Sequence, residues 1–273
     1  MSVPPDTAAG EPEQWLATAH ALADLAREVS LRWFRTPLDV HVKADHSPVT
    51  QADREVETLM REQIALRHPT HGIVGEEHGD MRADAPLVWY LDPIDGTKSF
   101  VCGLPLWGTL IALVQDGVPV LGVIDAPVLG ERWSALRPGP AWFAATGRAP
   151  QPCTASACRE LADARICAPS PDHFDTAGRA AFERLVDTAA VVRYGGDCYA
   201  YALVASGHLD IVVETGLDAH DFLPMVPIIE AAGGVITDWQ GRPLGPQRAG
   251  DVLVAGNAAL HRQALARLAQ PAR

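Results

Sequence analysis

Trp15, Ala19, Leu22, Ala26, Val29 and Trp33 recur at alternating spacings of four and three, the stripe that one face of an amphipathic helix leaves in a sequence. The spacing predicts a helix over residues 12–34. VKADHSPVTQAD then breaks the pattern as a polar connector or short hairpin. A second helix is expected from about Asp53 to Arg67, ended by His68-Pro69. Gly72 to Val74 read as a short apolar strand running into Gly75-Glu76-Glu77, and LVWYL as the next strand. GTLIALV and VPVLGVIDA, split by Asp116-Gly117, form a hairpin pattern, with ERWSAL and AWFAA as further strands. The first half is thus two helices on a large, mainly antiparallel sheet.

Around Pro150 the texture turns polar and turn-rich, and beyond it strands and helices alternate. ARICAPS, AAVVRYGG, HLDIVVE, GGVITDW and DVLVAGN read as strands. Helices are expected near 176–188, 197–206, 221–232 and 257–269, a pattern of α/β type. The chain therefore divides into a loose tail over 1–14, a first lobe over 15–150 and a second, smaller α/β lobe over 151–273.

With 48% hydrophobic and 21% charged residues the composition is globular. No apolar stretch approaches a membrane span, and the opening MSVPPDTAAGEPEQ lacks the basic and apolar regions of a signal peptide. A net charge of −12 argues against a nucleic-acid partner, which needs a basic face. Five cysteines (Cys102, Cys153, Cys158, Cys167, Cys198) form no CxxC pair and read as free thiols in a reducing cytoplasm. Cys153 and Cys158 alone are a weak metal suggestion.

Three acidic stretches remain: Glu76-Glu77, Asp92-Pro93-Ile94-Asp95 and Asp218-Ala219-His220-Asp221. Aspartates at i and i+3 on a tight loop can face one point, and hard divalent cations take such oxygens together with water and phosphate oxygens. The Ile94 carbonyl can turn inward as a further ligand, and Gly96-Thr97 can offer backbone N–H groups to phosphate. Each piece also has a plain structural reading. Asp-Pro and Asp-Gly are ordinary turn pairs, and Glu76-Glu77 suits a solvated loop. Asp221 can cap its helix, and Thr50-Gln51-Ala52-Asp53 matches a capping box. Haloacid-dehalogenase chemistry needs Asp-x-Asp-Gly-Thr, whereas here the spacing is Asp-x-x-Asp, and there is no P-loop motif.

GEE, WYLDPIDGT and HDFLPMVPIIEAAGG, in that order, resemble the signature series of the inositol monophosphatase superfamily over roughly residues 15–265. The resemblance implies a layered αβαβα sandwich, usually a homodimer, with two or three Mg²⁺ ions per site acting on a small phosphate ester. It implies metal ligation by Glu76, Asp92, the Ile94 carbonyl, Asp95 and Asp221. Thr97 would hold the attacking water and pair with Asp53, and Gly96 with Thr97 would hold the phosphate. Gly195, Gly196, Asp197 and Glu214 fall where the alcohol part is contacted.

DGTKSF in place of Asp-Gly-Thr-x-Asn-Phe, together with YGGDCYAYALVASGHLDIVVETGLDAHDF, is most similar to the histidinol-phosphate phosphatase branch. That branch implies hydrolysis of L-histidinol phosphate to L-histidinol and phosphate, within histidine biosynthesis. Asp197 and Glu214 give a chemical reason, because that alcohol carries an ammonium and an imidazole; Asp197 can equally be a helix cap. Hydrolysis of inositol, sugar or aminocyclitol phosphates is the alternative. A non-enzymatic, phosphatase-like protein should show a broken ligand set, and none is broken. His220-Asp221 in place of the family's Trp-Asp, and IDAP in place of IDQP, are departures. Pro227 is expected to kink the helix that follows Asp221, whereas Pro224 fits its first turn.

Overall fold

The computed structural model describes residues 11–37, 40–42, 48–247 and 250–270. Helix α1 (Glu11–Trp33) starts inside the expected 1–14 tail, whose residues 1–10 lie outside the described ones. Strands β1 (Val40–Val42) and β2 (Pro48–Thr50) pair antiparallel, so the polar connector is a hairpin; its residues 43–47 lie outside the described ones. Helix α2 (Gln51–Arg67) follows, and its N-terminus carries the capping box that Thr50 and Asp53 spell.

Seven strands make the first sheet, in sequence order: β3 (Gly72–Gly75), β4 (Leu87–Asp95), β5 (Gly108–Gln115), β6 (Val118–Ala126), β7 (Glu131–Leu136), β8 (Ala141–Ala145) and β9 (Gln151–Pro152). Only β3–β4 is parallel; the other pairings are antiparallel. Asp116 (φ 49°) and Gly117 (φ 81°) are both left-handed, the conformation a tight β5–β6 turn requires. The short helix α3 (Thr97–Val101) interrupts the path from β4 to β5.

The second half runs β10 (Arg165–Ala168), α4 (Thr176–Val186), β11 (Val191–Tyr194), α5 (Asp197–Ala205), β12 (Ile211–Leu217), α6 (Ala219–Phe222), α7 (Met225–Ala231), β13 (Val235–Thr237), β14 (Gly250–Ala255) and α8 (Ala258–Leu268). Its five strands lie in the order β11-β10-β12-β14-β13, with β14 antiparallel to both neighbours.

The period-2 alternation of strand side chains sorts these elements into five layers. Trp89, Leu91, Ile111, Leu113, Leu121 and Val123 bury one face of the first sheet under α1 and α2. The opposite face, with Val88, Tyr90, Leu110 and Ile124, packs on Tyr201 and Val204 of α5, Phe222 of α6 and Ile228 and Ile229 of α7. The same middle layer receives Val212, Val252 and Val254 of the second sheet. That sheet's far face, Ile166, Ile211, Val213 and Leu253, is closed by Phe182 and Leu185 of α4 and Leu260 and Ala264 of α8. The result is the αβαβα sandwich that the resemblance implied.

The helix expected over 221–232 is in fact two. Leu223 and Pro224 between them keep helical dihedrals, and the interruption lies one turn before Pro227, at the Leu223 carbonyl to which Pro227 has no N–H to donate, so the expected disturbance by Pro227 is present. Pro227 is the third residue of α7 as it restarts, and its ring is buried.

Candidate active site

The carboxylates meet at one end of β4. Asp92 and Asp95 do not sit on a free loop, because the strand continues through Asp95 opposite Gly108 of β5. A register shift between Asp92 and Asp95 absorbs Pro93, which has no N–H for the ladder and whose carbonyl accepts from Thr109 Oγ1 at 2.8 Å. Without the bulge the two side chains, three residues apart, would point to opposite faces of the sheet. With it, one ligand oxygen each from Asp92, Asp95 and Asp221 lie within 4.8 Å of one another.

Asp221 arrives from α6, where Asp218 N–H donates to its Oδ2 at 2.8 Å. It is therefore a capping residue and a member of the cluster at once, so its plain and functional readings both hold. His220 Nε2 lies 3.2 Å from Asp221 Oδ1.

Glu76 follows β3, held by its N–H to the Leu91 carbonyl at 3.2 Å. Glu57 of α2 fixes the rest of that turn. Its buried carboxylate accepts from the N–H groups of Glu77 (2.7 Å) and His78 (3.2 Å) and pairs with Arg61 Nε at 2.6 Å. Gly75 makes this possible, since a Cβ there would lie 2.3 Å from Glu57 Oε1. The i, i+4 spacing of Glu57 and Arg61 is the one local trace of this support in the sequence.

The electrostatics are those of a site missing positive charge. Burial pushes Asp92 well above the usual carboxylate range, with Glu76, Asp95 and Asp221 adding repulsion and Glu76 a shared hydrogen bond. Burial, then Asp197 and Asp221, push Asp95 up to about 8, although Cys198 N–H donates to its Oδ2 at 2.7 Å. Neither Asp92 nor Asp95 has an arginine or lysine partner among the described residues. Such a set is unfavourable alone and suits a hard divalent cation, which removes the repulsion by taking the oxygens as ligands.

A cavity of about 200 Å³ opens on the cluster. Glu76, Asp92, Ile94, Asp95, Gly96, Thr97 and Asp221 all line it, and so do Asp197 and Glu214. Thr97 Oγ1 donates to the Ile94 carbonyl at 3.2 Å. Glu214 of β12 is buried, its Oε2 accepts from Tyr201 O–H at 2.8 Å, and burial holds it well above the usual range. Asp197 is the first residue of α5, after the N-cap Gly196, and its Oδ2 accepts from the Ser99 hydroxyl at 2.6 Å rather than from a helix N–H among the described residues, so the plain capping reading does not hold. Gly195 and Gly196 are not cavity-lining; they supply the positive-φ turn (86° and 107°) that delivers Asp197.

Asp53 also lies outside the lining. Its Oδ2 accepts from Thr50 N–H at 2.9 Å and from the Thr50 hydroxyl, while its buried Oδ1 has no hydrogen-bond partner. Burial, opposed by those Thr50 bonds and reinforced by Glu76, lifts Asp53 to about 6. No direct hydrogen bond joins Asp53 to Thr97. Lys98, His173, Cys198, Tyr201 and Met225 also line the cavity, with Gly216 and Leu217 of β12 completing the wall. Lys98, Cys198, Tyr201 and Met225 lie inside the signature stretches, which mark their carboxylates and glycines rather than these neighbours, and His173 lies in no such stretch.

Comparison with known proteins agrees with this geometry. The family model for the inositol monophosphatase family matches residues 11–273. The bifunctional phosphatase IMPL2, chloroplastic, of Arabidopsis thaliana is 42% identical over 264 residues, 93% of this chain and 75% of that protein. A histidinol-phosphatase of Mycobacterium tuberculosis is 39% identical over 255 residues, 93% of this chain and 97% of its own. The solved structure of an inositol monophosphatase from Zymomonas mobilis superposes with a TM-score of 0.86 at 41% identity, covering 96% of this chain and 100% of that one. Fold, motif order and kinship agree: the chain belongs to the inositol monophosphatase family.

Proposed function

We propose that the chain is a Mg²⁺-dependent phosphomonoesterase that hydrolyses L-histidinol phosphate to L-histidinol and inorganic phosphate. The observation that carries the reading is the pairing, in one cavity, of a converging carboxylate cluster with two further carboxylates, Asp197 and Glu214. Relatives named histidinol-phosphatase at 39%, 36% and 35% identity support the substrate.

Glu76, Asp92, the Ile94 carbonyl, Asp95 and Asp221 are the residues that would hold two or three Mg²⁺ ions. Bound there, Mg²⁺ would supply charge neutralisation of the phosphate, a lowered pKa for a water and stabilisation of the leaving oxygen. The chain itself contributes placement. Gly96 and Thr97, on the cavity wall, receive a phosphate oxygen, and the Thr97 hydroxyl orients the attacking water in line with the ester oxygen. Asp53 stands behind the cavity wall with Oδ1 unpartnered and its carboxyl raised to about 6, and the family resemblance supports it as the group that would take up the proton this water gives up. No side chain is needed as a nucleophile, so no phospho-enzyme forms. Asp197 and Glu214 receive the cationic parts of the alcohol.

Residues 15–150 are read as the lobe that carries the cation loops, and 151–273 as the lobe that completes the site with Asp197, Glu214 and Asp221. The family resemblance supports a homodimer. No helix among the described residues is long and apolar enough to cross a membrane. All five cysteines are free, which supports a cytoplasmic setting. A second reading, hydrolysis of an inositol phosphate, is favoured by the 41% identity to the Zymomonas mobilis protein.

Paired variants decide between the two. Asp197→Asn and Glu214→Gln should lower kcat/KM for L-histidinol phosphate about tenfold more than for myo-inositol 1-phosphate, the scale of a charged hydrogen bond. Equal losses on both esters would favour the second reading.

A further inference from the structure

Asp197 is held in an unusual way. It is the third consecutive residue of positive φ (43°, after Gly195 and Gly196), a region that a residue with a side chain seldom adopts. Its carboxylate does not serve its own helix. It crosses to the first lobe, where Ser99 of α3, 98 positions away in sequence, donates its hydroxyl to Asp197 Oδ2 at 2.6 Å. The same oxygen lies over Gly96, where a Cβ would come within 2.7 Å of it, so the close approach depends on the absence of a side chain there. Asp197 Oδ1 has no hydrogen bond among the described residues, in a side chain that lines the cavity.

We infer that Ser99 is a positioning residue for substrate selection: by pinning one oxygen of Asp197 it presents the other to a cationic group on the alcohol of the phosphate ester. The inference rests on the aminoalcohol-phosphate reading above. Glu214 shows a related arrangement: the Tyr201 hydroxyl fixes Oε2 at 2.8 Å, while Oε1 lies 3.9 Å from His173 Nδ1 and the buried side chain lines the same cavity. Two acceptors, each locked through one oxygen by a hydroxyl donor, need no reorganisation when a cation arrives. A carboxylate free to rotate would lose rotamer entropy on binding and discriminate less. Because Ser99 follows the Gly96-Thr97 turn, the contact also ties the phosphate-facing segment to the alcohol-facing one, fixing the distance between the two halves of the ester's pocket.

The test is the ratio of kcat/KM for L-histidinol phosphate to that for myo-inositol 1-phosphate, in the full chain with Mg²⁺. Ser99→Ala should lower this ratio about tenfold, chiefly through KM for the aminoalcohol ester, and Ser99→Thr, which keeps the hydroxyl, should restore most of it. In an Asp197→Asn background Ser99→Ala should produce no further fall in the ratio. A wild-type enzyme that prefers the aminoalcohol ester, with Ser99→Ala lowering both esters alike, would overturn the role of Ser99 and leave the substrate assignment standing. A wild-type enzyme with no such preference would overturn both. Should Ser99→Ala fail to fold, Ser99→Cys, close in volume and a weak donor, is read against Ser99→Thr in the same way.

Discussion

Replacing Asp95 with asparagine should stabilise the cation-free protein while destroying its activity. In the folded chain burial, Asp197 and Asp221 raise the Asp95 carboxyl from 3.8 to about 8. A raised carboxyl contributes stability that is present at low pH and is lost as pH rises through its folded value. At about 1.4 kcal/mol per pH unit, the ceiling on that loss above pH 8 is about 6 kcal/mol. Asp92 and Asp221 share the same repulsion and relax with it, so a gain of about 2 kcal/mol is expected from Asp95→Asn, or about 4–8 °C in Tm for a chain of this size. Asparagine keeps an oxygen for the Cys198 N–H, so that 2.7 Å bond survives. The assay is thermal unfolding in EDTA at pH 8.5 and again at pH 4.5. The variant should unfold at the higher temperature at pH 8.5, and the gap should close at pH 4.5. Saturating Mg²⁺ should reverse the order at pH 8.5, because only the wild type then gains the full binding free energy. A variant no more stable than wild type in EDTA at pH 8.5 would refute the view that uncompensated charge strains this site.

Three further outcomes follow from named contacts. Asp92→Asn should reduce phosphate release about a thousandfold or more while near-UV circular dichroism stays native; turnover within tenfold of wild type would remove Asp92 from the cluster's work. Gly75→Ala should cost about 1–3 kcal/mol, because its Cβ would meet the buried Glu57 carboxylate at 2.3 Å, and it should weaken Mg²⁺ binding in calorimetry by displacing Glu76. Native stability and affinity in that variant would show that Glu57 does not fix the turn. Asp125, fully buried, pairs with Arg27 at 2.7 Å and Arg132 at 2.6 Å. Asp125→Ala should destabilise by about 3–5 kcal/mol in urea unfolding, and a loss under 1 kcal/mol would contradict that pairing.

What could be read in advance depended on whether the information was local. The stripe from Trp15 to Val29 is buried as its spacing requires, and Asp116-Gly117 turns the hairpin it spells. The convergence of Asp92, Asp95 and Asp221 was legible because motif and order survive in sequence, even though the strand bulge that aims Asp92 and Asp95 together was read as a free loop. Pro227 disturbs its helix as expected, but that the disturbance, with Pro224, divides it into α6 and α7 was not legible, because helix boundaries are set by tertiary packing. Residues that act across the chain left little local trace. Glu57 supports a turn 20 positions away, and Ser99 reaches Asp197 across 98 positions. β9 is two residues long and was invisible for the same reason, being defined by its pairing with β8.

The most direct measurement is phosphate release by the wild-type protein in saturating Mg²⁺, with L-histidinol phosphate and myo-inositol 1-phosphate at equal concentration, and again in EDTA. The account predicts a strong preference for L-histidinol phosphate that vanishes with the cation. Equal rates on both esters, or a preference for the inositol ester, would contradict the proposed substrate, and undiminished release in EDTA would contradict the cation site.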